Sequence, residues 1–336
     1  METNTTHDTS EGASHAEVAI YCLTITITCF GIIGNTMVCA IVSSTRELHT
    51  YTNMFIVHQA VIDLLGSIIL LLDNVLARPV EVAGYLLPAV YCKLWVSRYF
   101  YWTNLVASTF NLVLITFERY VAIVYPLRYV SIYTNTTVII MIMSAWVLAS
   151  VYKSYVSVFR YVKDGICYSN WSKLDPHLQT FIGVMAFLVE YFVPVMVISL
   201  AYIHIAVVLK RSATVNVGGT SRVGQTGGRS AEGCNEKSAS MLRARNNVLK
   251  ILLLVVLAYV ICWSPNQFLF LKYNLTSEYD FQSVFYHFTV LLAFCNLCVN
   301  PVIYALKYKK FRKPLKRMYL WCRGIQVVES ELTEYT

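Results

Sequence analysis

Charged and amide side chains interrupt segments of this chain that are otherwise apolar. Asp63 lies within the run AVIDLL, and Asn300 opens the run NPVIY. Glu118 and Arg119 stand side by side at the end of another apolar stretch. Carboxylate, guanidinium and amide groups can hold one another by charge and by hydrogen bonds. The chemistry that these residues predict is therefore ion pairing and hydrogen bonding inside an apolar framework.

The elements that carry these side chains are long hydrophobic segments. Hydrophobic residues make up 57% of the 336 residues and charged residues 14%, against about 25% charged residues in soluble domains. Runs of about 20 apolar residues can span a bilayer, and we predict seven, at 17–43, 52–76, 94–122, 136–156, 178–209, 246–271 and 283–306. We expect a polytopic α-helical membrane protein. A carboxylate such as Asp63 then costs at least ~2.5 kcal/mol in hydrocarbon, so it must face the bundle interior and find partners there.

The distribution of cations predicts how the chain is oriented. The loops at 44–51, 123–135 and 210–245 and the tail after 306 hold most of the 27 Lys and Arg residues. By the positive-inside rule these regions are cytoplasmic and the N-terminus is outside. The first residues, METNTTHDTSEGASHAE, lack the pattern of a signal peptide, so we expect them to be translocated uncleaved. The net charge of +8 then reflects topology and an anionic inner leaflet, not nucleic acid.

Two kinds of covalent modification are predicted on the outer side. Glycosylation sequons begin at Asn4, Asn170 and Asn274, whereas the sequon at Asn135 falls on the inner side and should stay unmodified. Cys92 and Cys167 also lie outside, in an oxidising compartment, and can pair.

The chain divides into three parts. Residues 1–16 form an extracellular N-terminus, and 17–306 form the transmembrane domain, which includes a Gly- and Ser-rich cytoplasmic loop at 212–240 that we expect to be mobile. Residues 307–336 form a short amphipathic helix, weakened by Pro314, and a tail. Such a helix would lie on membrane lipids, and Cys322 beyond it is a candidate for palmitoylation.

Six motifs occur in order on the predicted helices: GNTMV (34–38), AVIDLL (60–65), ERY (118–120), Pro194, CWSP (262–265) and NPVIY (300–304). Together they resemble the rhodopsin-like (class A) G protein-coupled receptors, over about residues 15–322. The resemblance implies an all-α bundle of seven transmembrane helices with a short eighth helix on the cytoplasmic side. It also implies a plasma-membrane receptor whose partners are an extracellular ligand, a heterotrimeric G protein, arrestin and a receptor kinase.

The resemblance assigns roles to the residues of a conformational switch. It implies that Glu118 restrains Arg119 at rest and that Arg119 reaches toward the G protein after the sixth helix swings outward. Pro194, Pro265 and Pro301 each kink a helix and leave it able to rock between two packings. The switch residues are Glu118, Arg119, Tyr120, Tyr202, Trp263, Pro265, Asn300, Pro301 and Tyr304.

A sodium ion is the only cofactor that the resemblance implies. In the family, the residues that match Asp63, Ser108, Asn296 and Asn300 surround an allosteric sodium ion, and all four residue types are present here. The alternative is a hydrogen-bonded cluster of the same side chains that holds no ion.

The outer half of the bundle is expected to bind the ligand. Tyr101 stands where amine receptors carry an aspartate and Phe294 where opsins carry the retinal lysine, so neither ligand is expected. The predicted pocket contains both signs of charge, aromatic residues and amides: Asp73, Arg98, Tyr101, Trp102, Lys153, Glu190, Gln267 and His287. Such a lining favours a peptide, and we expect a neuropeptide, with a lipid or small acidic ligand as the alternative. These charges could instead pair with each other or face the headgroups.

One spacing departs from the family's pattern. Cys92 and Arg119 are 27 residues apart, two more than in the family. Either the third helix contains a bulge or the cysteine lies further out in the loop, and positions counted from Arg119 toward Arg98 are uncertain by that amount.

Two other classes of protein are less consistent with the sequence. An ion-coupled secondary transporter would also bury a carboxylate and break its helices, but such transporters usually show paired repeats and more spans. An enzyme is not expected, since His58, His204 and His287 lie too far apart along the chain to propose a metal or catalytic cluster.

Overall fold

A computed structural model describes residues 5–76, 86–220, 230–276 and 283–322 of the chain. Within these ranges, seven helical stretches are long and apolar enough to cross a membrane. They cover Glu17–Ser44, Tyr51–Val75, Leu87–Val124, Asn135–Val158, Pro176–Arg211, Val248–Thr276 and Val284–Lys307. The prediction of an all-α membrane protein with seven spans is confirmed.

The helices are numbered in chain order: α1 Thr5–Ser44, α2 Tyr51–Val75, α3 Leu86–Tyr91, α4 Tyr99–Val124, α5 Pro126–Ile132, α6 Asn135–Val158, α7 Pro176–Phe187, α8 Val193–Thr220, α9 Ser230–Thr276, α10 Val284–Lys307 and α11 Lys309–Cys322. Hydroxyl side chains begin several of them. Thr50, Thr134 and Ser283 accept hydrogen bonds from backbone N–H groups in the first turns of α2, α6 and α10. These caps satisfy donors that a helix start leaves without intrahelical partners.

The helices enclose α4. It contacts α2, α6, α8 and α9, while α1 packs against α2 and α10, α10 against α9, and α9 against α7. Large apolar side chains such as Phe30, Val151 and Ile261 face outward. Many polar side chains are buried instead, among them Asn35, Asp63, Ser67, Thr109, Asn111, Glu118 and Thr289. Apolar outside and polar inside is the arrangement that suits a bundle surrounded by hydrocarbon.

The third span contains a bulge, which was one of the two alternatives predicted from the long spacing between Cys92 and Arg119. A π-helical turn covers Cys92–Val96, and Arg98 adopts a left-handed conformation with φ of 57° before α4 begins at Tyr99. Each π-turn holds one more residue than an α-turn. The π-turn therefore takes up one of the two additional residues between Cys92 and Arg119, and the left-handed Arg98 is a second interruption inside the same span.

The fifth span is interrupted in a similar way. A π-helical turn, Leu188–Phe192, joins α7 to α8 immediately before Pro194. Proline cannot donate a backbone hydrogen bond and crowds the preceding turn. The widened turn brings Glu190 and Tyr191 into the bundle, where both are buried.

A β-hairpin covers one end of the bundle. Strands β1 Arg160–Lys163 and β2 Ile166–Ser169 pair antiparallel through a two-residue turn. Both turn residues, Asp164 and Gly165, have positive φ angles of 53° and 77°, as an Asp-Gly type I′ turn requires. Cys167 on β2 forms a disulfide with Cys92, with the two Cα atoms 5.5 Å apart. The predicted pairing is confirmed and fixes the hairpin to the start of the third span.

Replacing Cys167 with serine is expected to lower the unfolding temperature of the purified chain by several degrees. The bond closes a loop with a sequence separation of 75, and loss of a native disulfide typically costs about 2–5 kcal/mol. Cys92→Ser should have the same effect, and Cys22→Ala, at an exposed free cysteine, should have little. Differential scanning fluorimetry without reductant measures the shift. Equal unfolding temperatures for wild type and both serine variants would contradict the assignment.

Two predicted boundaries differ from the structure. The loop at 212–240 was expected to be mobile, but α8 continues to Thr220 and α9 already begins at Ser230, while 221–229 lie outside the described residues. Likewise α1 begins at Thr5, within the segment predicted to precede the first span. Once a helix is nucleated in the membrane, each further residue adds one hydrogen bond at low cost, so polar flanking residues can extend it.

A short helix, α11, follows the seventh span where the amphipathic helix was predicted. Phe311 is buried against the rings of Tyr304 and Tyr308, at centroid distances of 6.2 and 6.0 Å. Lys316 and Arg317 are exposed. Pro314 lies inside this helix without ending it. Cys322 is its last residue, and palmitoylation there stays a prediction.

Candidate functional site

Glu118 is the centre of a buried cluster near the C-terminal end of α4. Its carboxylate accepts hydrogen bonds from Nε and Nη2 of Arg119, both at 2.5 Å. The Thr52 hydroxyl on α2 donates to both carboxylate oxygens at 3.1 and 3.2 Å and also accepts from Arg119. Tyr129 on α5 donates to Oε1 at 2.7 Å. Since Glu118 has no exposed surface, these partners are what make its burial tolerable.

Tyr129 is a member of this cluster that the sequence did not identify. It lies on α5, after the third span, and its ring stacks on Tyr133 at 4.9 Å. Burial and the Glu118 carboxylate raise the pKa of the Tyr129 phenol above its ordinary value. The phenol therefore stays protonated at physiological pH and can donate to Glu118.

Tyr120, the third residue of the ERY motif, does not join the cluster. Its hydroxyl lies 3.0 Å from Nδ1 of His204 on α8, and its ring packs edge-on against Tyr125. Tyr202, also on α8, packs against the hydrophobic core. The residues of the motif therefore contact different helices: Glu118 and Arg119 form their hydrogen bonds within the cluster that includes α2 and α5, and Tyr120 contacts α8.

Two carbonyl groups released by prolines are bound by side chains of neighbouring helices. Pro301 has no N–H to donate to Leu297 O, and Asn35 Nδ2 on α1 donates to that oxygen at 2.8 Å. Pro194 likewise leaves Glu190 O without its α-helical donor, and the Tyr259 hydroxyl on α9 donates to it at 2.9 Å. These contacts join the kinked helices to their neighbours, as expected where lipid supplies no hydrogen bonds.

The aromatic residues of the predicted switch are held mainly by packing. Trp263 is buried on α9 beside Tyr259, with ring centroids 6.4 Å apart, and Tyr304 is buried on α10 beside Phe311. Among the described residues, neither Trp263 Nε1 nor the Tyr304 hydroxyl has a hydrogen-bond partner. These side chains can therefore change position without breaking a hydrogen bond within the described part of the chain.

Three residues of the predicted sodium site, Ser108, Asn296 and Asn300, lie around the fourth, Asp63. Asn300 Nδ2 donates to Asp63 Oδ2 at 2.8 Å, and Asp63, Ser108 and Asn296 line one cavity together with Trp263. A fifth residue, Gln59, lies between them: its Nε2 donates to Asp63 Oδ1 at 3.0 Å and to Ser108 Oγ at 2.6 Å. The Gln59 nitrogen thus occupies the position between Asp63 Oδ1 and Ser108 Oγ that a bridging ion would take. The residues fit the hydrogen-bonded cluster, the alternative that the sequence left open, better than a bound sodium ion.

The predicted ligand-binding residues fall into separate groups. Asp73 and Arg98 form an ion pair at 2.8 Å, and both line a cavity between α2 and the third span together with Tyr101. The Tyr101 ring also meets Trp102 and Phe294 edge-on, at 5.5 and 6.2 Å. Asp73 is largely buried whereas Arg98 is 45% exposed, so the guanidinium is the accessible partner.

A second ion pair lies deeper, between α6 and the fifth span. Lys153 Nζ is 2.5 Å from Glu190 Oε1, and both side chains are buried. Tyr152 donates to the same carboxylate oxygen at 3.1 Å. The ammonium also lies 5.3–5.6 Å from the ring centroids of Trp102, Tyr152 and Tyr155. The sequence left two alternatives for these charged residues, pairing with each other or facing the headgroups. Lys153 pairs with Glu190.

The remaining two predicted pocket residues are not brought into either group by the contacts described. Gln267 is buried on α9. His287 on α10 is half-buried, and its Nδ1 lies 3.0 Å from the backbone carbonyl oxygen of Ser283, four residues earlier in the chain. The pocket predicted from the sequence is therefore a set of neighbouring subsites, and the charges closest to one another are already paired.

The glycosylation sites stand differently in the structure. Asn170 is exposed just after β2, and Asn4 lies outside the described residues. Asn274 is buried near the end of α9, where Nδ2 donates to Phe270 O at 2.7 Å. Its side chain packs so closely on Gly183 that a Cβ there would come within 2.1 Å. In this conformation the Asn274 side chain leaves no room for a glycan, and glycosylation of Asn274 stays a prediction.

Several residues of the polar interior were missed in the sequence. Gln59, His58 and Asn111 lie between the predicted motifs, and Trp146 lies on α6, where no motif was quoted. The run HQAVID offered one signal, because Gln59 precedes Asp63 by four residues and such pairs meet on a helix face. Nothing in the sequence indicated that Trp146 would reach His58 across the bundle.

Comparisons with known proteins agree with this architecture. Residues 34–304 match the model of the 7 transmembrane receptor (rhodopsin family). The galanin receptor 2b of Danio rerio is 27% identical, over 86% of this chain and 71% of that receptor. The trace amine-associated receptor 1 of Mus musculus is 28% identical, over 95% and 93%. The tachykinin-like peptides receptor 99D of Drosophila melanogaster is 26% identical over 88% of this chain, which spans only 55% of that receptor.

The family match covers most of the chain and every motif that carried the resemblance. Its members are receptors, so neither an enzyme nor a secondary transporter is supported. The seven spans, the Glu118–Arg119 ion pair and the matched residues lead to one conclusion: this chain belongs to the rhodopsin family of seven-transmembrane receptors.

Proposed function

We propose that this receptor binds an extracellular peptide and activates a heterotrimeric G protein on the other side of the plasma membrane. The peptide assignment rests on one observation: two ion pairs, Asp73–Arg98 and Lys153–Glu190, lie in the same half of the bundle. A peptide offers both signs of charge together with apolar side chains. Relatives named for galanin and for tachykinin-like peptides support this class of ligand.

An amine is the ligand least compatible with the site. One relative is named as a trace amine-associated receptor. In this chain the position where amine receptors carry their aspartate is Tyr101, whose ring packs between Trp102 and Phe294. A ligand ammonium would therefore lack its principal counter-ion there.

The proposed orientation places the N-terminus and the hairpin β1–β2 outside. The disulfide between Cys92 and Cys167 supports this orientation, because disulfides persist in oxidising compartments. The Glu118 cluster and the cationic helix α11 then face the cytoplasm, where the anionic leaflet attracts Lys and Arg. Arrestin, a receptor kinase and membrane lipids are proposed as further partners on that face.

The proposed mechanism is a change in the partners of Arg119. In the described structure Arg119 is held by Glu118 and Thr52. Ligand binding is proposed to favour an outward position of α9, since the kink at Pro265 allows a second packing. The guanidinium can then leave Glu118 and donate to carbonyl groups of an inserted G protein helix.

The alternative ligand is a lipid or a small acid. The favourable observation is Lys153, an ammonium surrounded by Trp102, Tyr152 and Tyr155. An acidic ligand would have to compete with Glu190, which already accepts from this ammonium at 2.5 Å. That competition makes the alternative the weaker of the two.

Screening a neuropeptide library on cells that express the receptor tests the proposal. A peptide should raise G protein signalling in cells with the wild-type chain and not in cells with Arg119→Ala at the same surface level. Parallel panels of fatty acids, small carboxylic acids and biogenic amines separate the ligand classes. A response to one of those panels together with none to any peptide would overturn the peptide assignment.

Once a peptide is found, Arg98→Gln should reduce its potency by about tenfold or more if the peptide carries a carboxylate near this cavity. A charge-assisted hydrogen bond contributes about 1.5–3 kcal/mol, which corresponds to that range. The matched control is Arg160→Gln, at a cation on β1 outside the lining of the cavity. Dose–response curves with the peptide and with its neutralised analogue measure the effect. Equal losses of potency for both peptides would show that Arg98 acts through folding rather than recognition.

A further inference from the structure

Gln59 is one helical turn before Asp63 on α2 and is almost completely buried. Its amide nitrogen lies between two acceptors, Asp63 Oδ1 at 3.0 Å and Ser108 Oγ at 2.6 Å. The second carboxylate oxygen, Asp63 Oδ2, accepts from Asn300 at 2.8 Å. Both oxygens of a carboxylate buried inside the bundle are thus bound by amide N–H groups.

The orientation of the Gln59 amide follows from a chain of hydrogen bonds that starts on α6. Trp146 Nε1 can only donate, and it donates to His58 Nε2 at 2.9 Å. His58 must then carry its proton on Nδ1, which lies 2.8 Å from Asn111 Oδ1. The Asn111 amide nitrogen therefore points to Gln59 Oε1 at 2.9 Å and to Phe55 O at 3.0 Å. Gln59 is left with its NH₂ group toward Asp63, so a flipped amide would break the chain.

This geometry bears directly on cation binding. Hard cations are held by oxygens, at about 2.3–2.6 Å in the case of Ca²⁺. A cation bridging Asp63 Oδ1 and Ser108 Oγ would meet the two hydrogens of Gln59 Nε2, which carry partial positive charge. To bind there, it would have to displace the amide and break the hydrogen bonds that continue to Asn111.

Some oxygens nearby do favour an ion. Asn104 Oδ1 and Asn300 Oδ1 have no hydrogen-bond donor among the described residues, and Asn104 and Asn296 line the cavity beside Asp63. Neutral amide oxygens alone do not compensate the desolvation of a cation, so the carboxylate decides binding. In this structure each oxygen of that carboxylate accepts one amide N–H, and the Gln59 nitrogen occupies the position between Asp63 Oδ1 and Ser108 Oγ where an ion would bridge them.

We propose that the Gln59 amide takes the place of a sodium ion in this receptor. It links Asp63 on α2 to Ser108 on α4, the link that an ion would otherwise supply, and makes the resting structure insensitive to sodium. The inference depends on the family's architecture and not on the identity of the ligand, so the peptide proposal can fail without affecting it.

The test is thermal unfolding of the purified full-length receptor, without ligand or G protein. Unfolding temperatures are compared in sodium chloride, potassium chloride and choline chloride at equal ionic strength. The wild-type chain should give equal values in all three salts. Gln59→Leu removes the amide and should create a sodium-specific rise of roughly 2 °C or more, because an ion that binds only the folded state stabilises it. The double variant Gln59→Leu/Asp63→Asn should lose that rise.

Three results would overturn the proposal. One is a sodium-specific rise in the wild-type chain that Asp63→Asn removes. Another is a Gln59→Leu variant that folds but responds equally to all three salts. If Gln59→Leu does not fold, Gln59→Met keeps a side chain of similar length without the amide, and its failure to show the sodium-specific rise would count in the same way.

Discussion

Arg119→Ala is expected to abolish G protein activation while leaving ligand binding at the outer face largely intact. In the described structure every polar partner of Arg119 belongs to the Glu118 cluster: the carboxylate of Glu118 on its own helix and the hydroxyl of Thr52 on α2. Arg119 is partly exposed, whereas Glu118 has no exposed surface. The guanidinium can therefore exchange partners when a cavity opens, and the carboxylate cannot follow it. Ligand-stimulated nucleotide exchange on the G protein is the measurement, with surface expression matched between variants.

Substitutions at other residues of the Glu118 cluster should act in the opposite direction, on signalling in the absence of ligand. Glu118→Gln removes the charge that restrains Arg119 and should raise signalling in the absence of ligand. Tyr129→Phe removes one hydrogen bond to Glu118 Oε1 but leaves the carboxylate charge that holds Arg119, so it should change basal signalling less than Glu118→Gln does. A hydrogen bond to a charged group is worth about 1.5–3 kcal/mol.

Arg119→Ala should lower signalling and Glu118→Gln should raise it, and these opposite directions distinguish the mechanism from a general folding defect. A defect would lower basal and stimulated signalling together in all three variants. An Arg119→Ala receptor that reaches the surface and signals at full strength would contradict the role of Arg119. Unchanged basal activity in both Glu118→Gln and Tyr129→Phe would show that the cluster does not restrain the resting state.

The number and location of the spans could be predicted because hydrocarbon imposes a simple requirement. Each crossing needs about 20 apolar residues, and seven such runs stand out against short cationic loops. The ends were harder to predict. The helix α8 continues past Arg211 to Thr220 and α9 begins at Ser230, before Met241, and sequence composition does not reveal such extensions.

Motif residues were found because their types are costly in a membrane, but their partners were not. Asp63 and Glu118 were recognised as groups that need partners, and the structure supplies Gln59 to one and Tyr129 to the other. Those partners are common residue types in ordinary positions. Gln59 lies one turn before Asp63 on the same helix, so its spacing was a signal in the sequence, whereas only the packing of α5 against α4 brings Tyr129 to 2.7 Å from Glu118.

The outer half was predicted least well because small changes in helix geometry redirect its side chains. The π-helical turn Cys92–Val96 and the left-handed Arg98 set the direction of the Arg98 side chain toward Asp73. The turn Leu188–Phe192 places Glu190 against Lys153 in the same way. Counting positions from Arg119 or Pro194 with a regular α-helical period cannot anticipate either pairing.

Lys153→Met should destabilise the receptor strongly, because it leaves Glu190 buried without a cationic partner. Breaking a buried ion pair by removing one member typically costs about 3–5 kcal/mol. Both side chains are buried here, with exposed fractions of 4% and 6%, so solvent cannot replace the lost partner. Glu190→Gln should also be destabilising, since Lys153 would keep only its neighbouring rings and an amide oxygen. The measurement is the unfolding temperature of the purified receptor.

The decisive comparison is the double variant Lys153→Met/Glu190→Gln. It removes both charges, keeps a hydrogen-bond acceptor for Tyr152, and leaves the backbone oxygen of Glu190 bonded to Tyr259. Its stability should therefore exceed that of Lys153→Met alone and approach that of the wild-type chain, as observed when buried ion pairs are replaced together. Lys173→Met serves as the matched control, because the same substitution at an exposed lysine should change the free energy of unfolding by less than about 0.5 kcal/mol. Strictly additive effects of the two single variants would mean that Lys153 and Glu190 do not stabilise one another, and the buried pair would then have to be explained by ligand binding instead of folding.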